Sequence, residues 1–433
     1  MASIIQSQGI STIYTEQRHA DCPMQTDELK HKLDARRADL VDWYIQVNPK
    51  SAAHAEAASV ALPGGTTRTV LHSAPFPMTL ESGQGTEVTS LDGATYTDYV
   101  SEFSAAMYGH SHPAILEAVQ EALSKGLNLG GVIAREAELA LLLQKRFPSM
   151  ELLRFTNSGT EANTLALAAA LAHTKRDKVL VFTNGYHGST LTFNGDKSSP
   201  VNLPHDYIIG KFNDIEQVRT LLHPSIGAII VEPLQFAGGV NSATREFLQF
   251  LRDAASALGA VLIFDEVVTS RLAYHGMQGL HSVTPDMTTL GKYVGGGFSF
   301  GCFGGREDIM RMFDARAPEH VAHSGTYNNN VFTMTAGVAG AKLVTEVGIN
   351  RINGLGDKAR VGINELAQKW GVLDLKAIGY GSIVGLQFSG SAAGVLKDVV
   401  YFELLKRGIS IARRGFIMLN LIHTEAHIDD LLK

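Results

Sequence analysis

The spacing of apolar residues changes character along the chain. Residues 1–25 are polar and without period, so an extension outside the packed core is expected there. Over 26–46, Leu29, Leu33, Leu40 and Val41 recur among charged residues, which predicts a helix. Pro63-Gly64-Gly65 interrupts the pattern with a loop. Short strand-like runs follow, with turns expected at Ser82-Gly83 and Asp92-Gly93. From about 106 to 330, helical patterns alternate with short apolar runs, clearest at 179–182, 228–231 and 261–264. The last two are apolar at every position, as strands covered on both faces of a parallel sheet are. Such alternation predicts a doubly wound α/β domain. A helical pattern over 331–347, then glycine-rich strands and helices, predicts a smaller α+β domain. The expected organisation is a segment of extension and connection over 1–105, a large domain over 106–330 and a small domain over 331–433.

Composition narrows the class without changing this plan. A chain of 433 residues needs more than one packed unit. It is 45% hydrophobic with 43 glycines, which suits a globular α/β enzyme. A formal net charge of −6 points away from nucleic acid or an anionic membrane surface as partner. Two cysteines, Cys22 and Cys302, make no disulfide framework, and a reducing compartment fits. No apolar run reaches the roughly 18–20 residues that span a bilayer. Residues 1–17 lack the charged and apolar blocks of a secretory signal, so a cytoplasmic location is expected.

Ligands of open α/β sheets bind beyond the carboxyl ends of strands, so the residues that follow each strand are the candidates. The run 228–231 ends in Glu232-Pro233, and 261–264 ends in Asp265-Glu266. One carboxylate at a strand tip is more often a cap or an ion pair. Two in one sheet, with a lysine downstream, shift the balance. Lys292 lies among small residues in Thr288-Thr289-Leu290-Gly291-Lys292-Tyr293-Val294-Gly295-Gly296-Gly297. Glycines there let a planar ligand approach the backbone, and burial would make the amine nucleophilic, as Schiff-base chemistry requires. Alone, the segment would read as a solvated loop. Asn157-Ser158-Gly159-Thr160-Glu161-Ala162-Asn163 opens an alanine-rich helix whose first N–H groups would hold an anion. An ordinary serine cap explains that helix but not its glycine. Tyr186-His187-Gly188 follows the run 179–182, and its aromatic could cover a ring or could be structural.

Taken in order, "FTNSGTEAN", "GYHG", "VEPLQ", "IFDEV", "TLGKYVGGG" and "HSGTYNNN" resemble the class III (ω-) aminotransferases, which have the fold type I architecture of pyridoxal 5'-phosphate (PLP) enzymes. The resemblance covers roughly residues 60 to 425. It implies homodimers with active sites at the subunit interface. "TTRTVLHSAPFPMTL" and "ARRGFIML" look most like the members that act on aromatic β-amino acids such as β-phenylalanine. By motif, Lys292 resembles the lysine that carries the cofactor, and Asp265 the partner of its ring nitrogen. Val267 and Tyr186 would cover the two ring faces. Ser158, Gly159 and Thr160 would hold the phosphate, and Thr326 would reach the phosphate of the neighbouring subunit's cofactor. Gln235 sits where some members approach the phenolic oxygen, and Glu232 would brace the site.

The resemblance also places Arg414 at the α-carboxylate of the acceptor, in preference to adjacent Arg413. It places Arg68 at a carboxylate one carbon further away. For either arginine taken alone, a surface ion pair is the commoner role. The implied reaction is a ping-pong transfer from an amine donor to a 2-oxo acid. Three alternatives share these motifs: an aminomutase of the glutamate-1-semialdehyde type, a general ω-amine transaminase, and a catalytically inactive binding protein. The sequence ends on "HIDDLLK", where members often carry a longer helix, so a trimmed small domain is expected.

Overall fold

The structure is a computed structural model that describes residues 23–433. Residues 1–22, which include Cys22 and most of the expected extension, lie outside the described residues. The chain divides into two compact units. Among the described residues, one comprises 104–108 and 113–351, and the other 23–103, 109–112 and 352–433.

The larger unit is built on a seven-stranded sheet. In chain order its strands are β1 (Leu152–Thr156), β2 (Lys178–Phe182), β3 (Asp206–Gly210), β4 (Ile226–Val231), β5 (Val261–Asp265), β6 (Met287–Gly291) and β7 (Gly301–Gly305). Their order across the sheet is β1-β7-β6-β5-β4-β2-β3, and β7 runs antiparallel to both its neighbours. The central strands are buried at every position. Strand side chains alternate between faces, so one apolar run feeds two cores. Leu180, Phe182, Ile229, Val231, Leu262 and Phe264 pack with Phe247, Leu248 and Leu251 of the helix Arg245–Leu258. Val179, Val181, Ala228, Ile230, Val261 and Ile263 pack with the alanines of α1 (Gly159–Thr174) on the other face. Each such aliphatic side chain contributes about 1.5–3 kcal/mol on full burial. The sheet is therefore mostly parallel and covered on both faces, as the unbroken apolar runs predict.

The smaller unit holds two further sheets. Leu80–Gln84, Glu87–Ser90 and Thr95–Asp98 form an antiparallel meander, extended by Ile409–Ser410. Leu375–Tyr380, Ile383–Phe388 and Phe416–Met418 form the other. Their shared core takes in Leu33, Leu40 and Tyr44 of the helix Pro23–Val47, and Val399 and Phe402 of the helix Ala393–Lys406.

Three expectations need correction. Ser82-Gly83 is not a turn but lies inside Leu80–Gln84, and the chain reverses at Gly85. Gly83 is there because His110 crosses it: a Cβ would sit 2.9 Å from the His110 ring. The helical pattern over 331–347 breaks at Val344, which turns to extended backbone between Val331–Leu343 and Glu346–Lys369. The segment 331–351 also falls within the larger unit rather than opening the smaller one. The apolar side of Val331–Leu343 is buried there, with Gly337 against Leu139 and Val294.

Candidate active site

Three neighbouring parallel strands end together. In register, Val231 of β4 faces Phe264 of β5, and Asp265 faces Thr289 of β6. Glu232, Asp265 and Lys292 are thus the groups delivered at, or just past, adjacent carboxyl ends. Glycines bring a fourth segment to the same point. A Cβ on Gly159 would lie 2.9 Å from a Val267 methyl, and one on Gly291 would lie 3.1 Å from it. Val267 therefore packs against both the start of α1 and the residue before Lys292. Larger residues at 159 or 291 would push these segments apart.

Asp265 is buried and held by three donors. Asn163 Nδ2 donates to Oδ2 at 2.8 Å, and His187 Nδ1 lies 2.9 Å from the same oxygen. The Val267 amide donates to Oδ1 at 3.0 Å. Asn163 is itself fixed, since Thr289 Oγ1 donates to its Oδ1 at 2.6 Å and it donates to the His187 carbonyl at 3.1 Å. Neither Asn163, His187 nor Thr289 was among the sequence candidates. A signal existed for Asn163, an amide inside an otherwise apolar helix and one turn past Thr160.

Glu232 is buried too. It accepts from the Tyr186 amide at 2.9 Å, which makes it a brace for the Tyr186 turn. Burial pushes its carboxyl well above the ordinary range, and the Asp265 charge adds to that; the Tyr186 and Phe236 amides and the Lys292 ammonium pull the other way. The raised pKa favours the protonated form of Glu232 and leaves Asp265 as the carboxylate at these strand tips that suits a protonated ring nitrogen. Lys292 opens a single 3₁₀ turn, half-buried, with φ at +52°. For a lysine this left-handed backbone costs about 1–3 kcal/mol, and such strain collects at functional sites.

At the start of α1, the Ser158 hydroxyl accepts from the Glu161 amide at 3.1 Å. Ser158 is thus an N-cap, as the plainer reading of the motif has it. The Gly159 and Thr160 amides precede the intrahelical ladder and suit an anion. Thr326 is exposed, in a loop joined to this end of the helix by Asn157 Nδ2 donating to Asn328 Oδ1 at 3.0 Å. Tyr186 is half exposed beside its turn, and buried Gln235 donates to the Thr183 carbonyl at 2.9 Å.

The two candidate arginines belong to the smaller unit. Arg68 pairs with Glu102 at 2.8 Å on the surface. Arg413 is held by Asp398 at 3.1 Å and donates to the Ser73 hydroxyl at 2.8 Å and to the Ala74 carbonyl. Arg414 is exposed, its guanidinium 5.3 Å from the centre of the Phe416 ring.

The description of aminotransferase class-III matches residues 70–433. A β-phenylalanine transaminase from Variovorax paradoxus is 43% identical over 411 residues, covering 92% of this chain and 94% of that one. A glutamate-1-semialdehyde 2,1-aminomutase from Desulforudis audaxviator is 35% identical, covering 82% and 89%. Among solved structures, a β-phenylalanine aminotransferase from Variovorax paradoxus superposes with a TM-score of 0.89 at 42% identity, covering 92% and 96%. The chain belongs to the class III aminotransferases, enzymes of fold type I that use PLP to move amino groups between amine donors and oxo acceptors.

Proposed function

We propose that this enzyme takes the amino group of a β-amino acid with an aromatic side chain and passes it to a 2-oxo acid. The observation that carries the donor class is the 43% identity, over 92% of the chain, to a transaminase of β-phenylalanine. The strand-tip cluster supports the reaction itself. When bound, PLP supplies an electron sink for the bond broken at the substrate carbon. Asp265 would keep the ring nitrogen protonated, and Asn163 and His187 aim its carboxylate. Val267 and Tyr186 would cover the ring. The Gly159 and Thr160 amides and the Thr160 hydroxyl would hold the phosphate, next to the Ser158 cap. Gln235 would serve the phenolic oxygen. Lys292 would hold the cofactor covalently, and its free amine would move the proton at the substrate carbon.

Two carboxylates at different distances from the reacting carbon need two cations. Arg68 is assigned to the β-amino-acid carboxylate and Arg414 to the α-carboxylate of the 2-oxo acid, each through a bidentate fork. The enzyme works as a cytoplasmic homodimer, with Thr326 serving the neighbouring subunit's cofactor. Among the described residues, no helix is long and apolar enough to cross a membrane.

A donor screen against pyruvate and 2-oxoglutarate tests the reading. Turnover of β-phenylalanine with either acceptor is expected. Activity on simple amines alone would make it a general ω-amine transaminase. Isomerisation of an amino aldehyde without any acceptor would make it an aminomutase. A fully active monomer would remove Thr326 from the scheme.

A further inference from the structure

The backbone of the smaller unit is strained at one turn, just after the strand Thr95–Asp98. Ser101, Glu102 and Phe103 hold φ at +44°, +47° and +51°. Residues with a side chain visit this left-handed region singly and at a cost, and three in succession are rare. A turn that only redirected the chain could carry glycine, as Gly85 and Gly93 do at the neighbouring reversals. Here the side chains are kept, and the surroundings enforce the conformation. Asp98 accepts from the Val100 amide at 2.8 Å and from the Ser101 amide at 3.1 Å. Ser101 is buried; its hydroxyl donates to the Met418 carbonyl at 3.0 Å and accepts from Asn420 Nδ2 at 3.4 Å. Strain over-determined in this way collects at functional sites.

The turn brings Glu102 and Phe103 to one partner, Arg68. Glu102 Oε1 lies 2.8 Å from Arg68 Nη2, and the guanidinium carbon lies 6.0 Å from the centre of the Phe103 ring. Extended backbone would send two consecutive side chains to opposite faces. The left-handed turn lets both meet the same guanidinium. The side chains of Arg68 and Glu102 are 48% and 54% exposed, so their ion pair contributes little stability. What it fixes is the direction of a long side chain. A guanidinium carries five N–H donors, so Arg68 held at Nη2 keeps others for a second carboxylate.

We propose that Glu102 is a positioning residue, which holds Arg68 beside Phe103 where the carboxylate of the β-amino acid is received. The strained turn is what presents it. This inference rests on the proposed role of Arg68.

Calorimetric titration of the holoenzyme with two unreactive probes, 3-phenylpropionate and its neutral amide, tests it. The readout is the ratio of the two affinities, and the wild type should favour the acid. Glu102→Ala should lower the ratio about threefold to tenfold, the scale on which a long side chain left to be ordered weakens binding. Glu102→Gln keeps an acceptor for Arg68 and should recover part of the loss. A merely structural role would weaken both probes alike and leave the ratio where it was. Adding Glu102→Ala to Arg68→Ala should lower the ratio no further. An unchanged ratio in Glu102→Ala would overturn the proposal. So would a raised one, which would make Glu102 a competitor for Arg68. In both cases a fall in Arg68→Ala would still keep Arg68 as the cation for the carboxylate. No fall in Arg68→Ala would remove that assignment, and the proposal with it.

Discussion

Two places in the molecule set side by side residues of like charge with opposite fates. At the tip of β5, Glu266 accepts from Thr269 Oγ1 at 2.6 Å and from the amides of Met277 and Gln278 at 3.0 and 2.9 Å, with Gln278 Nε2 at 3.4 Å. Its four acceptor positions are used, and it pins the helix Gly276–His281 to the sheet. Asp265, one residue earlier, accepts three donors and stands beside a second buried carboxylate. In the other unit, Arg413 is consumed by Asp398, Ser73 and the Ala74 carbonyl, while Arg414 is exposed over a ring. In each pair one residue is spent on the fold, and its neighbour is the one proposed to meet a ligand. Charge and burial alone would not separate Asp265 from Glu266, since both are buried. The count of donors already engaged does.

The largest expected effect lies where the strand-tip cluster meets the lysine. Lys292→Ala should abolish turnover and the borohydride-trapped link between chain and cofactor. If peptide mapping finds the trapped cofactor on another lysine, the site is elsewhere. If Asp265 has its proposed role at the ring nitrogen, Asp265→Asn should keep the fold and lower kcat by about a hundredfold or more, through loss of a preorganised charge. Glu266→Gln should do the reverse. It should keep kcat within a few-fold and cost about 1–3 kcal/mol of stability, because buried donors lose their acceptor. Urea unfolding and steady-state kinetics on both variants measure the contrast. Equal losses in both assays would erase the distinction.

The sheet was legible because its central strands are apolar on both faces, a pattern few other structures produce. The positions of Asp265 and Lys292 at strand ends were legible because polar residues that close such apolar runs have somewhere specific to be. Asn163 and His187 were harder. Each reaches Asp265 across more than 70 residues of chain, and nothing local in the sequence announces that meeting. Gly83 misled for a related reason. A glycine that makes room for His110 looks the same, in sequence, as one that turns the chain.

The arginines sharpen the comparison next. Arg414→Ala should slow the 2-oxo-acid half-reaction, and Arg68→Ala the β-amino-acid half-reaction. Losing a hydrogen bond to a charged group costs about 1.5–3 kcal/mol, which is roughly tenfold or more. Arg413→Ala should instead lower the unfolding midpoint while leaving the ratio of the two half-reactions unchanged. Single-turnover kinetics on each half-reaction decides it. Equal damage to both halves by Arg68→Ala and Arg414→Ala would end the division of labour.

The smallest expected effect concerns Glu232, the second carboxylate beside Asp265. Burial, with the Asp265 charge next, raises its pKa in the folded protein, and the Tyr186 and Phe236 amides and Lys292 offset part of that rise. In the unfolded chain the same carboxyl loses its proton near the ordinary value of about 4.3. Between that value and the raised one, the folded state binds more protons than the unfolded state. Stability linked to Glu232 is therefore fully present below the ordinary carboxyl range and falls as pH rises through the raised value. Glu232→Gln cannot titrate and should lack this fall. Thermal unfolding of the cofactor-free protein and its E232Q variant, followed from acid to neutral pH, should show the wild type losing Tm relative to the variant as pH increases. Parallel curves would mean that Glu232 ionises as an ordinary carboxylate. Asp265 would then be one of two settled anions at the strand tips, and its contrast with Glu266 would rest on the hydrogen-bond count alone.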